Sequence, residues 1–266
     1  MVGDALWSVR GNGSKSEAPG RGVTRPTVPL VIAHRGASGT LPENTLPAYE
    51  LAALQRADMI EIDLHRTRDG ETVVTHDEDL ASIGGRGEIA DATLAEVRAL
   101  DAGDGARVPI LDEVLDAFGA RIPFNLELKR GRRASYAGLE SAALTAVERR
   151  GLLDRTLFSS FYDPVLARLR ALSPAARIAL LLSPRNPERP LERARAVAAE
   201  AINPSIFLAT PALIGAAHAE GLAVYVFTVD AEDDMRRLLD LGADGMFTNF
   251  PARLRALVDS PRGGSL

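Results

Sequence analysis

Short apolar segments recur along the chain from Leu30 onward, and a segment with helical spacing follows each of them. Apolar runs of four to eight residues are typical of buried strands. After the fourth run, Val165, Leu166 and Leu169 share one helical face. The pattern predicts eight strands, at residues 30–33, 59–64, 122–128, 156–160, 178–182, 201–208, 223–229 and 245–248.

A strand followed by a helix, repeated eight times, predicts an α/β protein with a closed (β/α)8 TIM barrel. An open doubly wound sheet is the alternative fold. The alternation is interrupted after the second strand, where residues 67–120 hold a short strand at 72–75 and helices near 93–100 and 111–118. We interpret this segment as a small insertion over the C-terminal mouth of the barrel, where the active sites of this fold lie.

Both ends of the chain differ from the segment that carries this pattern. Residues 1–28 are rich in Gly, Ser, Pro and charge and lack the apolar core of a secretory signal. We expect a disordered leader at 1–28, the barrel at 29–260 and a loose tail at 261–266. No apolar run approaches the roughly 18 residues of a membrane helix, so stable membrane insertion is not expected.

Charge and cysteine usage exclude several kinds of function. The formal net charge of -5 argues against a nucleic-acid-binding protein. The 266 residues include no cysteine, which excludes disulfides, thiolate nucleophiles and cysteine-ligated zinc. This composition suits a reducing compartment, so we expect a cytoplasmic location. No pattern in the sequence predicts an oligomeric state.

Carboxylates occupy one face of two predicted core strands. Glu61 and Asp63 alternate with apolar residues in the second strand, and Glu127 and Lys129 do so in the third. A barrel strand should be apolar toward its helices, so these polar side chains should face the barrel interior. Because one lysine cannot neutralise three buried carboxylates, we favour a bound divalent cation. Oxygen ligands favour Mg²⁺, Ca²⁺ or Mn²⁺.

Two histidines and an arginine stand near the same predicted mouth. His34 ends the first strand and precedes Arg35, and His76 follows the short inserted strand. Imidazoles transfer protons near neutral pH, and a guanidinium can bind phosphate oxygens with two hydrogen bonds. Together with the carboxylates, these groups are what metal-assisted cleavage of a phosphodiester requires.

The order of the motifs resembles that of the glycerophosphodiester phosphodiesterase family over about Leu30 to Arg255. The matching motifs are Ala33-His34-Arg35-Gly36, Pro42-Glu43-Asn44-Thr45, Glu61-Ile62-Asp63, Thr67-Arg68-Asp69-Gly70, His76-Asp77, Glu127-Leu128-Lys129, Phe227-Thr228-Val229 and Gly242-Ala243-Asp244-Gly245-Met246-Phe247-Thr248-Asn249-Phe250-Pro251. The resemblance implies a (β/α)8 barrel. It also implies hydrolysis of small-molecule glycerophosphodiesters to sn-glycerol 3-phosphate and an alcohol, with one divalent cation.

The resemblance also implies a role for each matching site residue. The implied metal ligands are Glu61, Asp63 and Glu127, and the implied acid–base pair is His34 and His76. Arg35 and Lys129 are the implied substrate-binding cations: Arg35 binds the phosphate, and Lys129 adds positive charge beside the phosphate or the metal. The choice between acid and base stays open for the two histidines. The nucleophile is either water or the neighbouring glycerol hydroxyl, which would give a cyclic phosphate intermediate.

Two motifs depart from the usual family pattern. Phe227-Thr228-Val229-Asp230 stands where the family often has Trp-Thr-Val-Asn, and Asn249 stands where Asp is common. We expect Phe227 to keep an aromatic wall for the substrate without the indole donor. Neither change is expected to touch the catalytic residues, and both bear on substrate preference.

Several residues near the motifs have a structural alternative to a functional role. Asn44 could shape the mouth, and the equally weighted alternative is that Asn44 or Thr45 caps the first helix. We expect Glu43 to orient a site group, Asp77 to support His76, His65 to be structural and His218 to lie on the surface.

Three other functions compete with the leading one. A lysophospholipase D or sphingomyelinase D-like enzyme needs a larger apolar entrance, whereas residues 81–108 are polar and rich in glycine. A Schiff-base aldolase could use Lys129, but a lysine paired with carboxylates stays protonated and is a poor nucleophile. A binding protein without activity should have lost a histidine or a ligand, and none is missing.

Overall fold

Eight parallel strands close into a barrel in the computed structural model, which describes residues 25–260. Strand β1 pairs with both β2 and β9, which closes the ring and confirms the predicted TIM barrel. A ninth strand, β3, pairs antiparallel to β2 outside the ring. The strands are β1 Leu30–His34, β2 Met59–Arg66, β3 Thr72–Val74, β4 Phe124–Leu128, β5 Thr156–Ser160, β6 Arg177–Leu182, β7 Ala201–Pro204, β8 Ala223–Val226 and β9 Gly245–Thr248.

Helices follow the barrel strands and cover their outer faces. Proline stands at the first or second residue of α1, α5, α6, α7 and α9, where its missing N–H costs no helical hydrogen bond. The helices are α1 Leu46–Leu54, α2 Leu94–Arg98, α3 Leu111–Phe118, α4 Leu139–Glu148, α5 Asp163–Leu172, α6 Pro190–Ala196, α7 Pro211–Ala219, α8 Glu232–Asp240 and α9 Pro251–Asp259.

The period of two along each strand divides the apolar core. Outward residues such as Ile62 and Leu126 pack with the helices in the main cluster. Inward residues, including Met59, Leu157 and Phe247, form a second cluster inside the barrel. Farther along the strands the inward positions become polar, which places the chemistry at the C-terminal mouth.

The segment after β2 has a small core of its own. It contains β3, two 3₁₀ turns at Leu80–Ile83 and Ile89–Asp91, and α2. Its apolar residues are Val73, Leu80, Ile89, Ala92, Val97 and Val108. By contrast, α3 packs in the main core and serves as the helix of the second strand–helix unit. The segment predicted at 67–120 thus combines inserted elements with one regular barrel helix.

Two predicted strands are longer than the observed ones. The predictions at 201–208 and 223–229 extend beyond β7 and β8, which end at Pro204 and Val226. The chain turns after β7, where the amide of Leu208 donates to the carbonyl of Ser205. Apolar residues continue into these mouth loops, so composition alone does not mark the ends of the strands.

The predicted leader and tail fall largely outside the described residues, which exclude 1–24 and 261–266. Within the described part, Arg25 Nε donates to the Asp244 carboxylate over 2.8 Å. No helix within residues 25–260 is both long enough and apolar enough to span a bilayer.

Candidate active site

The turn after β1 directs Arg35 into the mouth of the barrel. Arg35 and Gly36 both have left-handed backbone conformations, with φ of 60° and 85°. A Cβ on Gly36 would come within 2.8 Å of the Ala48 backbone, so only glycine fits there. The Arg35 amide donates to Glu61 Oε2 over 2.9 Å, which joins this turn to the second strand.

Three buried carboxylates form an acidic triad consisting of Glu61, Asp63 and Glu127. One ligand oxygen from each lies within 4.8 Å of the others. Asp63 pairs in register with Glu127 across β2 and β4, so the inward face of two adjacent strands brings these groups together. The arrangement is the one predicted from the alternation of the sequence.

Two cations partly neutralise the acidic triad. Lys129 Nζ lies 2.9 Å from Asp63 Oδ1 and 2.7 Å from Glu127 Oε1. Arg35 Nε lies 3.2 Å from the other oxygen of Asp63. Arg35 Nη1 also donates to Glu43 Oε2 over 2.7 Å, which confirms that Glu43 orients a site group.

Burial and charge shift the pKa values of the triad in opposite directions. Burial opposes ionisation of Asp63, but Lys129 and Arg35 outweigh it and hold the Asp63 pKa far below its usual value. Burial and the charges of its two carboxylate neighbours raise the Glu61 pKa well above normal. Burial also raises the pKa of Glu127 despite the adjacent lysine. Lys129 and Arg35 supply two positive charges against three carboxylates, so the fully ionised triad would keep one unbalanced negative charge.

These residues fit a hard divalent cation. Glu61 Oε1 is buried and has no hydrogen-bond partner among the described residues. A buried carboxylate oxygen without a partner is costly unless a cation binds it. The triad offers only oxygen ligands, which suit Mg²⁺, Ca²⁺ or Mn²⁺ better than zinc.

His34 is held by an amide group. Its Nδ1 lies 2.8 Å from Asn249 Oδ1. Burial and the adjacent Arg35 charge lower the His34 pKa to about 4, so the ring is neutral at pH 7. The expectation that Asn249 does not touch the catalytic residues is wrong. The two residues are far apart in sequence, and only closure of the barrel by β1 and β9 brings them together.

His76 is held by a carboxylate. Its Nδ1 lies 2.7 Å from Asp77 Oδ1, which confirms the predicted support by Asp77. The buried ring of His65 contacts the His76 carbonyl through Nε2 at 3.0 Å and the Tyr136 hydroxyl through Nδ1 at 2.7 Å. His65 is therefore structural, as predicted, and it fixes the backbone that carries His76.

Asn44 belongs to the site, and Tyr49 is a residue that sequence reasoning missed. Asn44 Nδ2 donates to Asp63 Oδ2 over 2.8 Å, and the Tyr49 hydroxyl donates to Asn44 Oδ1 over 3.0 Å. Thr45 caps α1 instead, since its hydroxyl accepts from the Ala48 amide. Asn44 has φ of 57°, a conformation that asparagine tolerates better than most residues.

Aromatic residues line another part of the mouth. Phe227 packs edge to face against Phe161 and Phe247, with ring centroids 5.7 and 6.4 Å apart. Arg130 lies over the ring of Tyr162 at 5.0 Å. These contacts support an aromatic wall, although binding of substrate by Phe227 stays a prediction.

His218 corrects another expectation from the sequence. Its Nε2 lies 2.9 Å from the buried Asp244 carboxylate, so it is a partly buried structural residue and not a free surface residue. Asp244 immediately precedes β9, at the end of the barrel opposite the acidic triad. A carboxylate 26 residues away in sequence gave no local signal for this pair.

Comparisons with known proteins agree with this geometry. The model of the glycerophosphoryl diester phosphodiesterase family matches residues 34–253. The chain belongs to this family. A glycerophosphodiester phosphodiesterase from Bacillus subtilis is 34% identical over 84% of both chains. One from Caldanaerobacter subterraneus subsp. tengcongensis is 35% identical over 86% of this chain and 97% of its own.

Solved structures of family members have the same fold. A phosphodiesterase from Oleispira antarctica, in complex with the product sn-glycerol-3-phosphate, has a TM-score of 0.79 and 31% identity over 88% of this chain and 98% of its own. A glycerophosphodiester phosphodiesterase from Agrobacterium tumefaciens has a TM-score of 0.74 and 27% identity, covering 86% and 99%. This family member is therefore an enzyme, a glycerophosphodiester phosphodiesterase.

Replacement of Lys129 by Met tests the charge balance of the triad. It removes the cation that contacts Asp63 and Glu127, so buried negative charge is left unpaired. In EDTA at pH 7, we expect the free energy of unfolding in urea to fall by about 3 kcal/mol. Arg236→Met, which breaks the exposed pair with Glu232, is the matched control and should change stability little. Equal losses in both variants would contradict this account.

Proposed function

We propose that this enzyme hydrolyses glycerophosphodiesters to sn-glycerol 3-phosphate and an alcohol, and that it requires one divalent cation. The observation that carries the proposal is the buried acidic triad, with Arg35 against it and two imidazoles close by. His34 and His76 both interact electrostatically with Asp63, and His76 also with Glu127. The product bound to the Oleispira antarctica relative supports sn-glycerol 3-phosphate as the common product.

Glu61, Asp63 and Glu127 would hold the cation. When bound, it supplies positive charge that stabilises the negative charge developing on the phosphate oxygens. The same proposal assigns Arg35 to the phosphate, because Glu43 and Asp63 hold its guanidinium in one orientation. Lys129 keeps its proton beside two carboxylates and adds positive charge at this side of the site.

The two imidazoles take different parts in the proposed proton transfers. The low pKa of His34 leaves this ring neutral and able to accept the proton of the nucleophile. His76, held by the Asp77 carboxylate, donates a proton to the departing alkoxide as the phosphorus–oxygen bond breaks. The nucleophile is water or the neighbouring glycerol hydroxyl. In the second case, water then opens the cyclic phosphate and the two histidines exchange roles.

Release of sn-glycerol 3-phosphate from glycerophosphocholine tests this function directly. The purified full chain is assayed in EDTA and then with excess Mg²⁺, Ca²⁺ or Mn²⁺. We expect no release in EDTA and recovery with at least one of these ions. Release that EDTA leaves unchanged would remove the cation from the proposal. Cleavage of lysophosphatidylcholine in preference to glycerophosphocholine would favour the lysophospholipase D-like alternative.

The acid–base assignment predicts the effect of two alanine variants. His34→Ala and His76→Ala should each lower kcat by a factor of about 10² to 10⁴, since each removes one proton-transfer group. Circular dichroism and thermal unfolding should show an intact fold. His218→Asn, at the other end of the barrel, is the matched control and should keep wild-type turnover. Normal kcat in either alanine variant would exclude that histidine from catalysis.

The ligand assignment predicts a change in cation binding that does not depend on turnover. Glu127→Gln removes one of three carboxylates. We expect the dissociation constant for Mn²⁺ or Ca²⁺, measured by isothermal titration calorimetry, to rise about tenfold or more. Glu71→Gln changes an exposed carboxylate outside the triad and serves as the control. Unchanged affinity of Glu127→Gln would remove this residue from the ligand set.

The cytoplasmic location expected from the sequence also stays a prediction.

A further inference from the structure

A chain of hydrogen bonds leads from His34 to a carboxylate that the proposed reaction does not use. Asn249 Oδ1 faces His34 Nδ1 at 2.8 Å. On its other side, Asn249 Nδ2 donates to Asp230 Oδ2 over 2.7 Å. The backbone amide of Asn249 donates to Asp230 Oδ1 over 2.8 Å. Asp230 therefore holds both the main chain and the side chain of the residue that contacts His34.

Asp230 decides which way the amide of Asn249 points. A reversed amide would place its carbonyl oxygen about as close to the carboxylate as Nδ2 now lies, and two acceptors repel at that distance. The carboxylate is itself fixed by Thr248, whose hydroxyl donates to Asp230 Oδ1 over 3.0 Å and accepts from the Phe250 amide over 3.1 Å. The carbonyl oxygen of Asn249 must therefore face the histidine.

An acceptor opposite Nδ1 determines the tautomer of His34. A carbonyl oxygen accepts a hydrogen bond, so Nδ1 has to carry the proton. A neutral imidazole carries only one ring proton, which leaves Nε2 with a free lone pair. Burial and the Arg35 charge keep the ring neutral at pH 7, so the choice of tautomer decides which nitrogen can accept a proton.

We propose that Asp230 and Asn249 are positioning residues, which fix His34 in the Nδ1–H tautomer and leave Nε2 to accept the proton of the nucleophile. Only the second half of this statement rests on the proposed phosphodiesterase reaction. In the proton transfer, the nucleophile's oxygen–hydrogen bond breaks as an Nε2–H bond forms. The imidazolium then returns that proton in the following step.

Ser38 contacts both His34 and Asn249. Its hydroxyl lies 2.8 Å from Asn249 Oδ1 and 2.7 Å from the His34 carbonyl. The hydroxyl can donate to the amide oxygen, which has two lone pairs and can also accept from His34 Nδ1. A hydroxyl has one proton, so Ser38 donates either to Asn249 Oδ1 or to the His34 carbonyl, and the orientation of the amide rests on Asp230.

The partners of the two catalytic candidates differ in charge. His76 Nδ1 faces the Asp77 carboxylate directly, whereas the Asn249 amide separates His34 Nδ1 from the Asp230 carboxylate. A carboxylate stabilises a positively charged ring more strongly than an amide does. Positions 230 and 249 are also two of the three that depart from the usual family motifs, and the acid and the amide have exchanged places there.

Long-range ¹H–¹⁵N correlation spectra of ¹⁵N-histidine-labelled protein read the tautomer directly. The chain has only four histidines, so loss of one signal set in each single-histidine variant assigns them. At pH 7 we expect His34 to show a protonated Nδ1 and an unprotonated Nε2. A protonated Nε2, whether in the other neutral tautomer or in an imidazolium, would overturn the proposal.

Three variants test the chain of hydrogen bonds. Asp230→Asn frees the amide of Asn249 to turn, so we expect a mixture of His34 tautomers and a kcat about tenfold to a hundredfold lower, with little change in KM. In Asp230→Asn/Asn249→Asp, a carboxylate replaces the amide as the acceptor from Nδ1 and an amide supports that carboxylate, so the Nδ1–H tautomer should return. Asp233→Asn, exposed on α8, is the control and should change neither signal nor rate.

The two readouts separate this inference from the proposed function. A wild-type enzyme that cleaves glycerophosphodiesters but carries His34 as the Nε2–H tautomer would refute the positioning role and leave the function intact. An Nδ1–H tautomer in a protein that cleaves no phosphodiester would refute the function and keep the positioning role. If Asp230→Asn retains a pure Nδ1–H tautomer, Asp230 does not control the amide and the inference fails.

Discussion

The burial of three carboxylates inside the barrel is the constraint on which the rest of the site depends. Glu61, Asp63 and Glu127 lie on the inward faces of two adjacent strands, where water cannot screen them. Mutual repulsion in a low-dielectric interior would favour their protonation. Lys129 and Arg35 offset part of this charge and keep Asp63 ionised. The remaining charge suits a cationic ligand, and in the proposed function a bound cation would in turn attract an anionic phosphate.

The fold tolerates the cost of burying these carboxylates because the inward and outward faces of the barrel strands have separate roles. Outward side chains such as Ile62 and Leu126 pack with the helices and supply the apolar burial that stabilises the fold. Inward side chains near the mouth can then be polar, because they contribute little to the apolar core between the strands and the helices. The left-handed turn at Arg35 and the buried Asn44–Tyr49 pair extend the polar arrangement into the first loop.

The two imidazoles show how partners separate chemically identical groups. His34 is buried and lies beside Arg35, and these two features lower its pKa more than the hydrogen bond to Asn249 raises it. His76 is partly exposed and contacts a carboxylate. In the proposed reaction the first ring accepts a proton and the second donates one, although both belong to the same residue type. Part of this difference comes from Asn249 and Asp77, which take no direct part in the proposed reaction.

The sequence by itself determined the order of strands and helices, the inward face of the acidic strands and the motif residues of the site. Those features depend on residues that are close together in the sequence, so local patterns are enough to predict them. Only the tertiary structure decided the contacts between His34 and Asn249, between His218 and Asp244, and between Asn44 and Asp63. It also separated α3 from the inserted elements, because packing and not composition assigns a helix to a core. Closure of the barrel joins segments that lie at opposite ends of the chain, and no local pattern records which side chains then meet.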